Sequence, residues 1–156
     1  MLKKNLYVYA GFAWCIAFSV LTFYWSNGGM LGVRTLGGII YRKALEGDEE
    51  FLLLVRITGF LKFAAGLFIL LLLRDWQEPM KRILYFLALI GGVFLFLYGF
   101  ANFSTLVLNT FNILNLELDG YSLKWRLFFW EPFWMAGGLL FIQSARRFKD
   151  KALLHQ

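Results

Sequence analysis

The chain contains one cysteine, one histidine and two prolines in 156 residues. With Cys15 as the only thiol, an intramolecular disulfide, a paired-thiol redox motif and a multi-cysteine zinc site are excluded. The only histidine, His155, is one residue from the C-terminus and reads as part of a disordered tail. Its position excludes bis-histidine haem ligation and histidine acid–base catalysis in the body of the chain. There is no phosphate-binding glycine loop, no nucleophile elbow and no metal-ligand cluster, so no cofactor and no metal are expected. Acids are scarce as well, ten against sixteen basic residues, for a formal charge of +6. The basic residues gather at the ends of apolar runs and do not alternate with aromatics, which argues against nucleic acid as a partner and for a role in membrane topology.

What the chain has in quantity is apolar and aromatic surface. Hydrophobic residues make up 60% and aromatics 20%, with a mean hydropathy of +0.61, beyond the soluble norm in which roughly half the residues are apolar. That composition describes an integral membrane protein with membrane lipid as its surroundings. A helix crossing the hydrocarbon core needs about 20 mostly apolar residues. Four runs qualify, Leu6–Trp25, Phe51–Leu73, Ile83–Phe103 and Leu127–Ala145. The first follows Lys3 and Lys4 as a signal peptide would, but its apolar core is too long and no small-residue cleavage site follows, so it is expected to stay as an anchor. The expected fold is all-α, a four-helix membrane bundle occupying residues 1–156 as one transmembrane domain.

Short loops rich in Lys and Arg stay on the cytoplasmic side. Both termini are therefore expected inside a bacterial-type plasma membrane, with Lys3, Lys4, Arg74, Arg82, Arg146 and Arg147 among the residues on the inner face and fewer basic residues, Arg34 and Arg126 among them, outside. The connection around Asp75–Pro79 is short, which predicts an antiparallel hairpin of the second and third spans. The outer loops are longer. Residues 26–50 mix glycines with Met30, Leu31, Ile39 and Ile40, a composition suited to a folded or partly re-entrant cap. Residues 104–118 are apolar too. Counting them as a fifth span would leave Asn109, Asn112 and Asn115 without polar partners, so a short interfacial helix or an outward extension of the third span is preferred.

The sharpest anomaly is Arg56 and Lys62 within the second apolar run. A charge at membrane depth costs a few kcal/mol or more unless something answers it. On a helix wheel of about 100° per residue the two flank a face made by Gly59, Phe63 and Gly66, so both point into the bundle. The one carboxylate inside a span is Glu131, with Pro132 after it where a first-turn proline is tolerated. An Arg56–Glu131 pair is the economical expectation, and it leaves Lys62 unmatched. Lys62 then has three readings: snorkelling to an interface, burial as a neutral amine, or lining a wet cavity where an anionic or carbonyl group meets it. Trp25, Asn102 and Trp134 fall toward the same outer half and complete a candidate ligand-binding set of Trp25, Arg56, Lys62, Asn102, Glu131 and Trp134. The alternative is a purely structural polar cluster, because Trp and Tyr anchor helices at interfaces and Asn, Ser and Thr join them. Gly91-Gly92 and Gly137-Gly138 permit close packing of helices without forming GxxxG.

The segments Tyr24-Trp25-Ser26-Asn27-Gly28-Gly29 and Trp130-Glu131-Pro132-Phe133-Trp134 resemble the signatures of an uncharacterised bacterial family of small four-span membrane proteins. The likeness covers nearly the whole chain and implies no activity. The sterol-isomerase and sigma-2-receptor superfamily is similar in architecture, but it uses buried acids, and here Glu131 stands alone. The leading expectation is an outward-facing pocket for a small anionic or amphipathic ligand or lipid, in a carrier or binding protein. A membrane enzyme using Lys62 as base or Glu131 as acid, and an accessory subunit with buried charges that set helix register, are the alternatives.

Overall fold

A computed structural model of the chain describes residues 2–153, and every regular element among them is helical. Helix α1 covers Leu2–Ser26, α2 Gly38–Glu46, α3 Glu49–Leu70, α4 Glu78–Thr110, α5 Gly120–Trp125 and α6 Glu131–Leu153. A 3-10 turn at Leu71–Leu73 extends α3, and a π turn at Arg126–Trp130 joins α5 to α6 without a break. The all-α bundle expected from the sequence is therefore present, while His155 lies outside the described residues. Asn5–Ser26, Glu49–Leu73 and Glu78–Thr110 are long and apolar enough to cross a membrane. Only 17% of the most apolar stretch of α3 is buried, so its leucines and phenylalanines face outward, as lipid-facing side chains do and as a water-soluble monomer could not sustain. The fourth helix, α6, is more polar over its length.

Local chemistry sets the helix boundaries. Asp48 caps α3 by accepting from the Phe51 backbone N–H at 2.8 Å, and Glu49 and Glu50 occupy the first turn, where the helix dipole favours acids. Pro79 sits in the first turn of α4, where its missing N–H costs nothing. With 33 residues α4 is the longest element. At about 1.5 Å per residue it runs to roughly 50 Å, well past a hydrocarbon core of about 30 Å. The third long apolar helix thus continues as far as Thr110, in keeping with one of the two arrangements anticipated for residues 104–118, and the chain then turns through Asn112 in the left-handed region.

The helices pack in the order α3–α1–α6–α4. Small residues dictate that order. Gly59 and Gly66 of α3 lie against Phe23 and Cys15 of α1, and Ser19 Oγ donates to the Gly59 carbonyl at 2.9 Å. Between α4 and α6 the backbones touch, since a Cβ added to Gly92 would fall 2.9 Å from the Gly138 carbonyl oxygen. Helices α3 and α4, although consecutive and antiparallel, make almost no contact with each other. This corrects the expected hairpin packing of the second and third spans: each helix turns its small-residue face to α1 or α6. All four long helices share a buried apolar core at one end, around Val8, Ile69, Leu72, Leu84, Ala145 and Phe148. At the opposite end a cap is held by Trp130 Nε1 donating to Thr35 Oγ1 at 2.8 Å and Ser122 Oγ donating to the Arg34 carbonyl at 2.8 Å.

Candidate functional site

The π turn exists because of Pro132. Helix continues on both sides of this proline, so it is an interior residue with no N–H for the usual i−4 bond and a ring that would strike the Phe128 carbonyl. The chain widens by one residue, and the Glu131 N–H reaches the Arg126 carbonyl five positions back. In an α-helix, side chains five apart diverge by about 140°. The widened turn brings Arg126 and Glu131 to the same side, and Arg126 Nε and Nη2 donate to Glu131 Oε1 at 3.0 and 2.8 Å. Glu131 is only 3% exposed. Both bonds fall on Oε1, and no solvent-shielded side-chain polar atom among the described residues lacks a partner, so Oε2 borders the adjoining cleft.

That cleft, ≈ 180 Å³, opens at the capped end among α1, α3, α4 and α6. Its floor is Lys62. The ammonium donates to Thr58 Oγ1 at 3.2 Å and stands 4.4 Å from the centre of the Phe18 ring and 5.8 Å from that of Trp134. Aromatic faces carry partial negative charge, so the two rings stabilise the cation without neutralising it. Among the described residues no carboxylate pairs with Lys62. Phe18 is fixed by its neighbours, at 4.8 Å from Trp134 and 5.2 Å from Phe133 in edge-to-face geometry, so the aromatic wall is rigid. Trp25 and Trp130 meet at 5.5 Å nearer the mouth, and Leu36 and Ile40 from the cap close over them.

Of the six residues expected at the site, Trp25, Lys62, Glu131 and Trp134 line this cleft together. Arg56 and Asn102 do not. Asn102 Nδ2 donates to the Tyr98 carbonyl on its own helix at 2.8 Å. Arg56 donates to the Ser26 carbonyl at 3.2 Å and to Asn27 Oδ1 at 3.4 Å, and so caps the C-terminus of α1, where carbonyls are unpaired and the helix dipole is negative. The expected Arg56–Glu131 pair is thus replaced by Arg126–Glu131. Nor is Pro132 a first-turn proline, since helix precedes it. Arg126 lies in sequence among the outer-loop basic residues; the signal that places it at the site is the spacing Arg126–Glu131–Pro132, an interior proline whose bulge brings i and i+5 together. Tyr98, a polar aromatic in the outer half of the third apolar run, lines the cleft as well, and so does Phe18, which carried no sequence signal beyond being aromatic.

The remaining ionic contacts lie at the periphery. Lys43 Nζ is 2.9 Å from Asp48 Oδ2. The Lys43 hydrogen bond, with the Phe51 N–H behind it, holds the Asp48 carboxyl below the usual carboxylate range. Among the described residues no group of three or more His, Cys, Asp or Glu side chains could hold a metal ion. The arrangement brings together an ammonium with further hydrogen-bond capacity, a guanidinium anchored by a carboxylate, and aromatic walls.

A family model described as protein of unknown function (DUF3995) matches residues 15–141, which takes in both the aromatic-Gly-Gly and the Trp-Glu-Pro segments. No curated protein and no solved structure matches.

Proposed function

The chain belongs to the DUF3995 family, whose function is unknown, and we propose from its cleft that it is an integral membrane binding or carrier protein for a small anionic or amphipathic molecule. The observation that carries this reading is Lys62. The cleft holds two basic groups, Lys62 and Arg126, against one acid, Glu131, and the acid is committed to Arg126. Lys62 has three donors and, among the described residues, a single protein acceptor, Thr58. An acidic headgroup would complete it, with Trp134 and Phe18 flanking and Arg126 reaching in from the mouth.

Within this reading the bundle lies in the membrane as one four-span domain. Helix α6, though more polar than the other three, runs alongside α4 and serves as the fourth span. The convergent end carries Arg74, Lys81, Arg82, Arg146 and Arg147 and faces the cytoplasm with both termini, so the cleft opens outward. An ammonium between aromatic walls, with the one acid of the cleft tied to Arg126, supports binding over acid–base chemistry.

The test is titration of the protein in zwitterionic nanodiscs with radiolabelled oleate, a probe with one carboxylate. Loss of a charge-assisted hydrogen bond worth about 1.5–3 kcal/mol corresponds to a 10- to 100-fold weaker affinity for Lys62→Met. Glu131→Gln, which loosens Arg126, is expected to weaken binding less. If both variants keep wild-type fold, stability and affinity, the proposal is wrong.

A further inference from the structure

We infer that the occupant of the cleft is a chain-bearing lipid acid that enters sideways from the bilayer through a slot between α3 and α4. The inference rests on the binding role proposed for Lys62 and adds the class of ligand and its route. Its basis is that two consecutive helices, α3 and α4, make almost no backbone contact. Seen down α3 from Lys62 at about 100° per residue, Gly59 and the α1 interface lie roughly 60° to one side, while Leu54 and Leu61 lie roughly 80–100° to the other. That second side is the one turned away from α1, and Leu61 on it is 64% exposed.

Helix α4 supplies the matching wall. Tyr98 lines the cleft, and Leu87, Gly91 and Phe94 fall within about 40° of it around the helix. Phe94 is 67% exposed and stacks on Tyr98 at 6.5 Å, so a ladder of apolar side chains runs from the cleft toward the convergent end. Gly91 interrupts that ladder, and a Cβ built on it meets no atom within 4 Å. Its neighbour Gly92 is pressed against α6, so the two glycines serve different ends: one seals the helix pair and the other leaves the slot wall flat.

The slot therefore joins an apolar channel to the unpaired ammonium of Lys62. A water-soluble anion would use the ammonium and leave the channel unoccupied, and a neutral lipid would do the reverse. An acid with a single long hydrocarbon chain matches both, its headgroup on Lys62 and its chain lying between Leu61 and Gly91. The cap side chains Leu36 and Ile40 then shield the headgroup from the aqueous side.

The experiment compares oleate with butyrate, the same carboxylate without the long chain, in zwitterionic nanodiscs, for wild type, Lys62→Met and Gly91→Phe. The phenylalanine has room to extend into the slot, and circular dichroism and thermal melting establish that each variant is folded. Oleate is expected to bind wild type at least 100-fold more tightly than butyrate and to lose at least tenfold in Gly91→Phe, with butyrate unchanged by that substitution. Butyrate binding as tightly as oleate, or oleate affinity untouched by Gly91→Phe, would overturn lateral entry while leaving the Lys62 site standing. Binding of either probe that does not respond to Lys62→Met would overturn the site and the slot together. Should Gly91→Phe fail to fold, Gly91→Leu fills the same space and is judged by the same outcomes.

Discussion

Replacing Lys62 with methionine separates a binding residue from a structural one. A cation at the centre of a membrane helix costs about 2.5–3.5 kcal/mol on insertion scales. Against that stand two aromatic rings, together worth about 2 kcal/mol when desolvated, and one hydrogen bond to Thr58 worth about 1.5–3 kcal/mol. At mid-range the terms leave the lysine about 1 kcal/mol ahead. Methionine is unbranched, fills much of the lysine stem's space and gains a sulfur contact with Phe18 or Trp134 of about 0.3–1.5 kcal/mol. The variant should therefore be as stable as wild type within about 1 kcal/mol, or slightly more stable, while losing acidic-ligand affinity. Equilibrium unfolding in mixed micelles, followed by helical circular dichroism, measures the first, and oleate titration the second. A loss of more than about 3 kcal/mol would refute the reasoning, since breaking a buried charge interaction that holds the fold together costs about 3–5 kcal/mol.

Three further outcomes follow from the geometry. A double-mutant cycle of Arg126→Met with Glu131→Gln should give a coupling of about 1–3 kcal/mol, the range for groups sharing one hydrogen-bond network, whereas Arg56→Met with Glu131→Gln should give essentially none; unfolding free energies decide between them. Pro132→Ala restores the N–H that the helix lacks, so the π turn should relax, carrying Arg126 away from Glu131; hydrogen exchange should show new protection at residue 132, stability should not fall, and oleate binding should weaken. Acid should fray the start of α3, because the Asp48 carboxyl is held below its unfolded range, so its contribution is intact above about pH 4 and is lost as the pH falls through the lower folded value. The same pairing raises the Lys43 ammonium, whose contribution is present at neutral pH and lost only as the pH rises through its folded value. Amide exchange at Phe51 from pH 6 to pH 2 follows the acid limb, and Asp48→Asn should flatten it.

The long helices were legible because a bilayer demands length and apolarity, and Leu6–Trp25 or Phe51–Leu73 offers little else to read. Lys62 was legible for the same reason, as a charge with no acid near it in any span. What the sequence concealed was helix order. A short connector between α3 and α4 implies that they are neighbours, but close approach is decided by where small residues point, and Gly59 and Gly92 point to α1 and α6. The partner of Glu131 was hidden by a second effect. Arg126 lies outside the apolar run, and only the bulge imposed by Pro132 turns it back onto the carboxylate. Arg56 misled because depth along a helix says nothing about neighbours on the next one; the end of α1, with its free carbonyls, was the nearer acceptor.

Native mass spectrometry of the protein, gently extracted from membranes and followed by identification of what it releases, tests the central claim most directly. The account predicts a monomer unit carrying one acidic, long-chain amphiphile in the wild type and none in Lys62→Met purified identically. A wild type with no bound acid, or adducts identical in the two proteins, would contradict it.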